Sequence, residues 1–173
     1  MHFITTPIDW VSWVLSRLSM AMLAILVAAM LYEVFARYVL GSPTMWAFDV
    51  SYMLNGSLFL LASGYTLRQD AHVRIDFLSQ RFPERVQATI NALAYLAALL
   101  PIFATLTWIA FSKAWKAYVT GEVEAVSPWA PLVWPFYGTI AIGLLGLSLQ
   151  LLADGLRFAR LATVGPEAEG DAR

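Results

Sequence analysis

The sequence predicts an all-α integral membrane protein with four transmembrane helices. Of its 173 residues, 60% are hydrophobic and only 13% are charged, and its mean hydropathy is +0.65. Soluble domains are about 25% charged, and a soluble domain of this length cannot bury so much apolar surface. We therefore expect one membrane domain over residues 1–160, followed by a disordered cytoplasmic tail over residues 161–173.

Four stretches meet the length that a helix needs to cross a bilayer, about 20 mostly apolar residues. The predicted spans are, in chain order, about residues 10–38, 45–67, 85–112 and 132–154. The first lacks a basic segment before its apolar run, so we interpret it as a retained helix and not as a signal peptide. Ser42 and Pro43 are typical of a helix start. The second helix should therefore begin well before Val50, with Asp49 in its early turns.

The loops and chain ends carry an uneven distribution of positive charge. Of the eleven Lys and Arg residues, eight lie near the two termini or in the 68–85 loop, and three lie in the 33–49 and 113–131 loops. Basic residues concentrate on the cytoplasmic side of membrane proteins. Both termini and the 68–85 loop are therefore expected in the cytoplasm.

A short helix is predicted between the second and third spans, over about residues 70–82. Ala71, Ile75, Leu78 and Phe82 recur there at helical spacing, with charged residues elsewhere around the helix. Such an amphipathic segment is expected to lie in the membrane interface on the cytoplasmic side.

A few polar residues and one proline stand out within the spans. Glu33 and Arg37 are four residues apart, so they can pair along the first helix, and Arg37 is also a candidate partner for Asp49. Asn55 is expected to form a hydrogen bond to a neighbouring helix. Pro101 should bend the third span. Small residues recur four or eight apart, such as Gly56 and Gly64 or Gly138 and Gly146, which favours close helix packing in lipid.

Composition leaves little room for cofactor chemistry. The chain has no cysteine and two histidines, His2 and His72, which disfavours disulfides, thiolate metal sites and bis-histidine haem. The net charge of −1 provides no basic field for nucleic acid. We expect no catalytic residue, no cofactor and no metal in this chain. An intramembrane serine protease that uses Ser63 is an alternative, but His72 is the only histidine available to act with this serine.

An ordered series of motifs resembles the small permease subunit of tripartite ATP-independent periplasmic (TRAP) transporters, the DctQ-like family. The series consists of Arg37-Tyr38, Trp46, Asp49, the stretch from Gly64 to Arg68, the stretch from Asp70 to Asp76, Gly121-Glu122, Pro131, Trp134-Pro135 and Leu149-Gln150-Leu151. The resemblance covers about residues 20–157. Phe48 stands where the family often has a first acid, and Ile75 where it usually has valine.

The resemblance implies a role in a complex of the bacterial inner membrane. Such a subunit scaffolds a large DctM-like permease, which carries the substrate and sodium sites, and helps to dock a periplasmic DctP-like solute receptor. Phospholipids are further partners, and the implied activity is sodium-coupled uptake of a small organic acid. The residues expected to have interface or structural roles are Glu33, Arg37, Trp46, Asp49, Arg68, His72, Asp76, Glu122, Trp129 and Trp134.

We expect three separate tasks. The spans should pack on the large subunit through faces of small residues. A second set should shape the outer face near the receptor: Arg37, Trp46 and Asp49, with Glu122, Trp129 and Trp134. Arg68, His72 and Asp76 should tie the interfacial helix to the second span. Two alternatives remain open: a small proton-coupled multidrug-type exporter acting as a homo-oligomer, and an accessory subunit of another membrane complex.

Overall fold

The computed structural model describes residues 2–69 and 83–164, and this part of the chain is helical. Its five α-helices are α1 (His2–Tyr38), α2 (Ala47–Arg68), α3 (Glu84–Leu93), α4 (Leu100–Thr120) and α5 (Trp134–Val164), and a π-helical segment, Ala94–Leu99, joins α3 to α4. In the described residues, the only β-type pairing is an isolated antiparallel bridge between Val123 and Leu132. The predicted all-α class is confirmed.

Three helical stretches of the described chain are long and apolar enough to cross a membrane. They are Pro7–Tyr38, Arg85–Thr120 and Trp134–Thr163, and they coincide with the first, third and fourth predicted spans. α2 has 22 residues, which corresponds to about 33 Å. It is not among the three, because polar residues such as Asn55 and Ser57 interrupt its apolar sequence.

α5 is the central helix of the bundle. It packs against α2, α3 and α4 and also touches α1, whereas α1 packs mainly against α2. Half of the most apolar stretch of α5 is buried inside the protein, compared with 11% for the corresponding stretches of α1 and of α3–α4. The long helices therefore follow the order α1, α2, α5, α4, and the two outermost ones present apolar faces to the surroundings.

Glycines allow α2 and α5 to approach closely. A Cβ atom on Gly143 would lie 2.8 Å from the backbone carbon of Leu60, and one on Gly64 would lie 3.3 Å from the backbone of Gly146. Nearer to the Arg68 end of α2, Leu67, Leu147 and Leu151 form a buried apolar cluster. The packing role predicted for the small residues is present at this interface, and it sets the spacing of the two helices.

Pro101 follows a change of helical register. It lies in the first turn of α4, directly after the π-helical segment, and it has no N–H to donate to the preceding turn. A π-helical turn holds more residues than an α-helical one and interrupts the regular ladder at such points. The wider turn packs Leu96 against Gly155 and places the Tyr95 ring 5.5 Å from that of Phe158.

Several element boundaries differ from the predicted ones. α2 begins at Ala47, so Ser42 and Pro43 lie in the preceding loop and do not start it, although Asp49 is in the first turn as predicted. α4 continues to Thr120 and ends at Gly121, whose left-handed backbone (φ 61°) suits a residue without a Cβ. α5 extends to Val164, so the first residues of the predicted tail are helical. The predicted interfacial helix at 70–82 and the rest of the tail lie outside the described residues.

Candidate functional site

Glu33 joins the end of α1 to the loop that follows it. Its Oε1 accepts hydrogen bonds from Arg37 Nε (2.9 Å) and from an Arg37 terminal nitrogen (2.6 Å). Its Oε2 accepts one from the backbone N–H of Thr44 (2.9 Å) and one from the Thr44 hydroxyl. Glu33 is buried, with 7% exposure, whereas more than half of the Arg37 side chain is exposed. We call these three residues the Glu33 cluster, and it contains the helical pair predicted from the sequence.

Trp46 adds an aromatic contact beside this cluster. It directly precedes α2, and its ring stacks on that of Tyr32 in α1, with 6.0 Å between centroids and 20° between planes. Stacked aromatic pairs of this kind contribute beyond their buried area. The contact holds the start of α2 against the last turns of α1.

A second polar group fastens the loop between α4 and α5 to α2. Asp49 accepts a hydrogen bond from the Ser127 hydroxyl, and Tyr52 donates its hydroxyl to Glu124 Oε2 at 2.8 Å. Ser127 Oγ also accepts the backbone N–H of Trp129 at 3.1 Å. We call Asp49, Tyr52, Glu124 and Ser127 the loop clasp.

The predicted pairing of Arg37 with Asp49 is wrong. The two residues lie at opposite ends of one short connection, which makes them look close in the sequence. In the structure, Asp49 is buried on the face of α2 that meets Ser127, and Arg37 turns to Glu33 on its own helix. The face of the helix on which each charge lies decides the partner it meets, and the linear sequence does not display this.

The remaining predicted residues of this end lie on the α4–α5 loop and the start of α5. Glu122 is exposed, and its backbone carbonyl accepts the N–H of Val133 at 3.1 Å, which closes the loop on itself. Trp129 is also exposed. Trp134 packs edge-on against Tyr118 of α4, with 5.4 Å between centroids. The structure thus gathers seven of the ten predicted residues at one end of the bundle: Glu33, Arg37, Trp46, Asp49, Glu122, Trp129 and Trp134.

The opposite end contains a network that the sequence analysis missed. Arg157 of α5 donates to Asp9 Oδ2 of α1 (2.7 Å) and to Asp154 Oδ1 (2.8 Å). Gln150 Nε2 donates to Asp154 (3.1 Å) and Asp9 (3.4 Å), and Gln150 Oε1 accepts from Ser12 (2.9 Å). We call Asp9, Ser12, Arg68, Gln150, Asp154 and Arg157 the Asp9 network.

Arg68 of α2 also belongs to this network. Its Nε lies 3.5 Å from Asp9 Oδ1, so it links the end of α2 to the start of α1. His72 and Asp76, the two residues grouped with it, lie outside the described residues. One signal could have indicated the network: Gln150, Asp154 and Arg157 follow at helical spacing on one face of α5.

Polar side chains between the two ends are mostly used within the bundle. Ser57 of α2 and Thr139 of α5 are 2.6 Å apart, and Thr107 of α4 and Ser148 of α5 are 3.2 Å apart. Within residues 2–69 and 83–164, no buried side-chain nitrogen or oxygen lacks a hydrogen-bond partner. These hydroxyl pairs connect α5 to both of its long neighbours.

Asn55 is the exception to this pattern. The expected hydrogen bond to a neighbouring helix of the chain is not formed: Asn55 lies on the exposed side of α2 and has no partner in the described part of the protein. Ser63, the nucleophile of the alternative enzyme hypothesis, donates to the carbonyl of Leu60 in its own helix at 2.6 Å. Among the described residues, no group of three acidic or histidine side chains is assembled that could hold a metal ion.

Comparison with known proteins places these features in a family. Residues 26–161 match the family model described as tripartite ATP-independent periplasmic transporters, DctQ component. The chain is 22% identical over 85 residues to the sialic acid TRAP transporter small permease protein SiaQ of Vibrio cholerae, a match that covers 49% of each chain. It is 29% identical over 91 residues to the sialic acid TRAP transporter permease protein SiaT of Haemophilus influenzae, covering 53% of this chain and 14% of SiaT.

The curated matches are partial, and they extend over about half of SiaQ and a seventh of SiaT. No solved structure matches the chain. The family model, in contrast, covers most of the sequence and includes the Glu33 cluster, the loop clasp and the α5 part of the Asp9 network. This chain therefore belongs to the DctQ family, the DctQ component of tripartite ATP-independent periplasmic transporters.

Proposed function

We propose that the chain is the small membrane subunit of a TRAP-type secondary transporter in the bacterial inner membrane. In this proposal it scaffolds a large DctM-like permease subunit and helps to dock a periplasmic DctP-like receptor during sodium-coupled uptake. The observation that carries the proposal is the family match over residues 26–161. The match to part of a permease protein, SiaT, supports association with the larger component.

The geometry favours a scaffold with constant helix spacing. Ionisable residues pair with one another at the two ends of the bundle, and hydroxyl pairs and glycine contacts join the helices between them. Closely packed interiors resist deformation. In this proposal the large subunit performs the movement and holds the sodium and substrate sites, whereas this chain holds no cofactor.

We further propose that α2 is a fourth span and that both termini are cytoplasmic. α2 is long enough to cross the hydrocarbon core, and it runs antiparallel to α1, with Trp46 near Tyr32 at one end and Arg68 near Asp9 at the other. The distribution of Lys and Arg supports the orientation. The Glu33 cluster and the loop clasp would then lie at the periplasmic end, where the receptor docks.

A small organic acid is the proposed class of solute. Both curated relatives are named as sialic acid transporter components, and sialic acid is a carboxylated sugar. In a scaffold subunit, few residues of this chain would contact the solute. The choice among carboxylated solutes therefore belongs to the receptor and the large permease.

Reconstitution tests the proposal directly. The tagged chain is co-expressed with a DctM-like large permease, purified in mild detergent and placed in proteoliposomes with a DctP-like receptor. We expect an equimolar complex that accumulates a carboxylated solute only with receptor present and an inward sodium gradient. A chain that purifies alone as a homo-oligomer and drives proton-linked efflux would contradict the proposal and favour the exporter alternative.

A further inference from the structure

The side of α2 that points away from the bundle carries a regular stripe of residues. Positions 48, 52, 55, 59, 62 and 66 alternate in steps of four and three, so they follow one face along the whole helix, in the heptad spacing of a helix–helix seam. We call this set the α2 stripe: Phe48, Tyr52, Asn55, Phe59, Ala62 and Thr66. The buried residues Ser57, Leu61 and Gly64 lie on the opposite side.

The stripe is exposed at three of its six positions and half-buried at Tyr52, Ala62 and Thr66. Phe48 and Phe59 are 78% and 74% exposed, and Asn55 between them is exposed as well. Tyr52 is committed within the described chain, because its hydroxyl belongs to the loop clasp and its ring packs edge-on against Phe136 of α5 and contacts the Phe48 ring. A row at heptad spacing that exposes two large aromatic side chains is suited to receive another helix.

Asn55 distinguishes this face from the other exposed faces of the protein. It lies about 4 Å along the axis from the midpoint of α2 and has no hydrogen-bond partner in the described chain. A carboxamide left in hydrocarbon without a partner is costly, since lipid tails offer no donor or acceptor. A neighbouring helix with a polar group at the same depth would remove that cost.

We propose that the α2 stripe receives a helix of the large permease subunit, with Asn55 hydrogen-bonded to a polar group of that helix. This inference rests on the proposed function and adds to it the contacting face and the residue at its centre. Phe48 and Phe59 pack on either side of the hydrogen bond. A single polar residue in an apolar seam also selects register and partner, so Asn55 sets the alignment of the two subunits.

Two observations favour the permease as the occupant of the stripe. α2 is the long helix of the described chain that falls short of the apolar character of a lipid-exposed span, as expected for a helix covered by protein on both sides. In addition, the SiaT relative carries its matching segment as only 14% of a permease chain.

Photo-crosslinking tests which face meets the permease. Phe59 is replaced by p-benzoylphenylalanine, and the matched control carries the same residue at Trp108 of α4, which is 75% exposed. Both variants are co-expressed with the large permease and irradiated in native membranes. We expect position 59 to crosslink to the large subunit at least ten times more than position 108.

Three results would overturn the assignment of the stripe. They are a dominant crosslink from position 108, a crosslink from position 59 to a second copy of this chain, and an intact complex without any crosslink from position 59. In each of them the wild-type chain still purifies with the permease, so the proposed function survives. A wild-type chain that does not purify with the permease overturns the proposed function and the stripe together.

Substitution of Asn55 tests the hydrogen bond itself. Interhelical hydrogen bonds in membranes are worth about a three-fold to twenty-fold change in affinity. We therefore expect Asn55→Leu to weaken binding of the permease by that factor and Asn55→Gln to retain part of it. The control Thr105→Leu removes an exposed hydroxyl that bonds its own helix in α4 and should not change affinity.

The isolated chain provides the control for folding. Asn55 has no partner within the described chain, so Asn55→Leu should not lower its unfolding temperature. Unchanged affinity of Asn55→Leu for the permease, or a loss of fold in the isolated chain, would overturn the proposed role of Asn55.

Discussion

The two ends of the bundle are held together in different ways. The Asp9 network joins helices directly to one another, because Arg68 of α2 and Arg157 of α5 both pair with Asp9 of α1. At the opposite end, the Glu33 cluster and the loop clasp join helices to loops, mainly through the hydroxyls of Thr44, Tyr52 and Ser127.

This difference separates two tasks. Charge pairs between helices fix the spacing and rotation of those helices, so the loss of one destabilises the whole bundle. Hydrogen bonds from helices to loops fix the shape of a surface, so the loss of one destabilises that loop only. In the proposed complex, the Asp9 end would keep the scaffold together and the Glu33 end would present a defined surface to the receptor.

The largest effect should come from Arg157, which bridges both acids of the Asp9 network. Arg157→Ala leaves Asp9 and Asp154, both largely buried, without their main partner. Removing one partner of a buried pair is strongly destabilising, and because Arg157 is partly exposed we expect a loss of about 2–3 kcal/mol. Unfolding of the isolated chain in detergent measures this loss.

The control Arg160→Ala removes an exposed arginine on the same helix and should change stability little. Equal effects of the two would contradict the network.

A smaller effect is expected from Gln150, which is fully buried (0% exposed) and bonded to Ser12 (1% exposed). Gln150→Leu leaves the Ser12 hydroxyl without its acceptor and should cost about 1–3 kcal/mol. Ser12→Ala alone should lower the free energy of unfolding by less. Added to Gln150→Leu, it should lower it little further, because the two changes remove one shared hydrogen bond. Strictly additive losses in this double-mutant cycle would show that the bond contributes nothing.

Ser127 tests whether the loop clasp acts locally. Ser127→Ala removes the hydrogen bond to Asp49 and should cost about 1 kcal/mol. Hydrogen exchange should accelerate in the 122–133 loop while the helices keep their protection. Ser112→Ala serves as the control, because that hydroxyl bonds only its own helix. Faster exchange throughout α1 and α5 would mean that the two ends of the bundle do not differ as described.

The smallest effect on stability is expected for Arg37. Its side chain is more than half exposed, and its buried partner Glu33 keeps both hydrogen bonds from Thr44 when Arg37 is replaced. Loss of the pair should therefore change stability little. Arg37→Gln should therefore leave the unfolding temperature of the isolated chain within about 2 °C of wild type. Assembly with the permease or receptor-dependent uptake should nevertheless fall, with Lys116→Gln of α4 as the exposed control. Wild-type assembly and uptake would remove Arg37 from the docking surface.

Sequence reasoning located the helices well, because contact with lipid restricts composition over long stretches. α1, the α3–α4 segment and α5 coincide with predicted spans, and α2 lies where an uncharged stretch ends at Arg68. Helix ends were less predictable. Ser42 and Pro43 resemble a helix start, but the chain there turns back toward Glu33 through Thr44, so α2 begins only at Ala47.

Contacts between distant helices were much less accessible from the sequence. Glu33 and Arg37 were predictable as a pair because one helix turn separates them. Asp9 and Arg157 are far apart along the chain, and their meeting depends on the rotation and offset of two helices, which hydropathy does not report. The same limitation produced the wrong pairing of Arg37 with Asp49.

The central claim, that the chain keeps its helix spacing while its partner moves, can be tested by measuring one distance. The chain has no cysteine, so spin labels can be placed at Leu31→Cys in α1 and Trp115→Cys in α4, both exposed. The distance distribution is recorded in the reconstituted complex with and without sodium, solute and receptor. We predict the same distribution in all conditions. A shift of several ångströms on addition of sodium or receptor would show that this subunit moves, and would contradict the account.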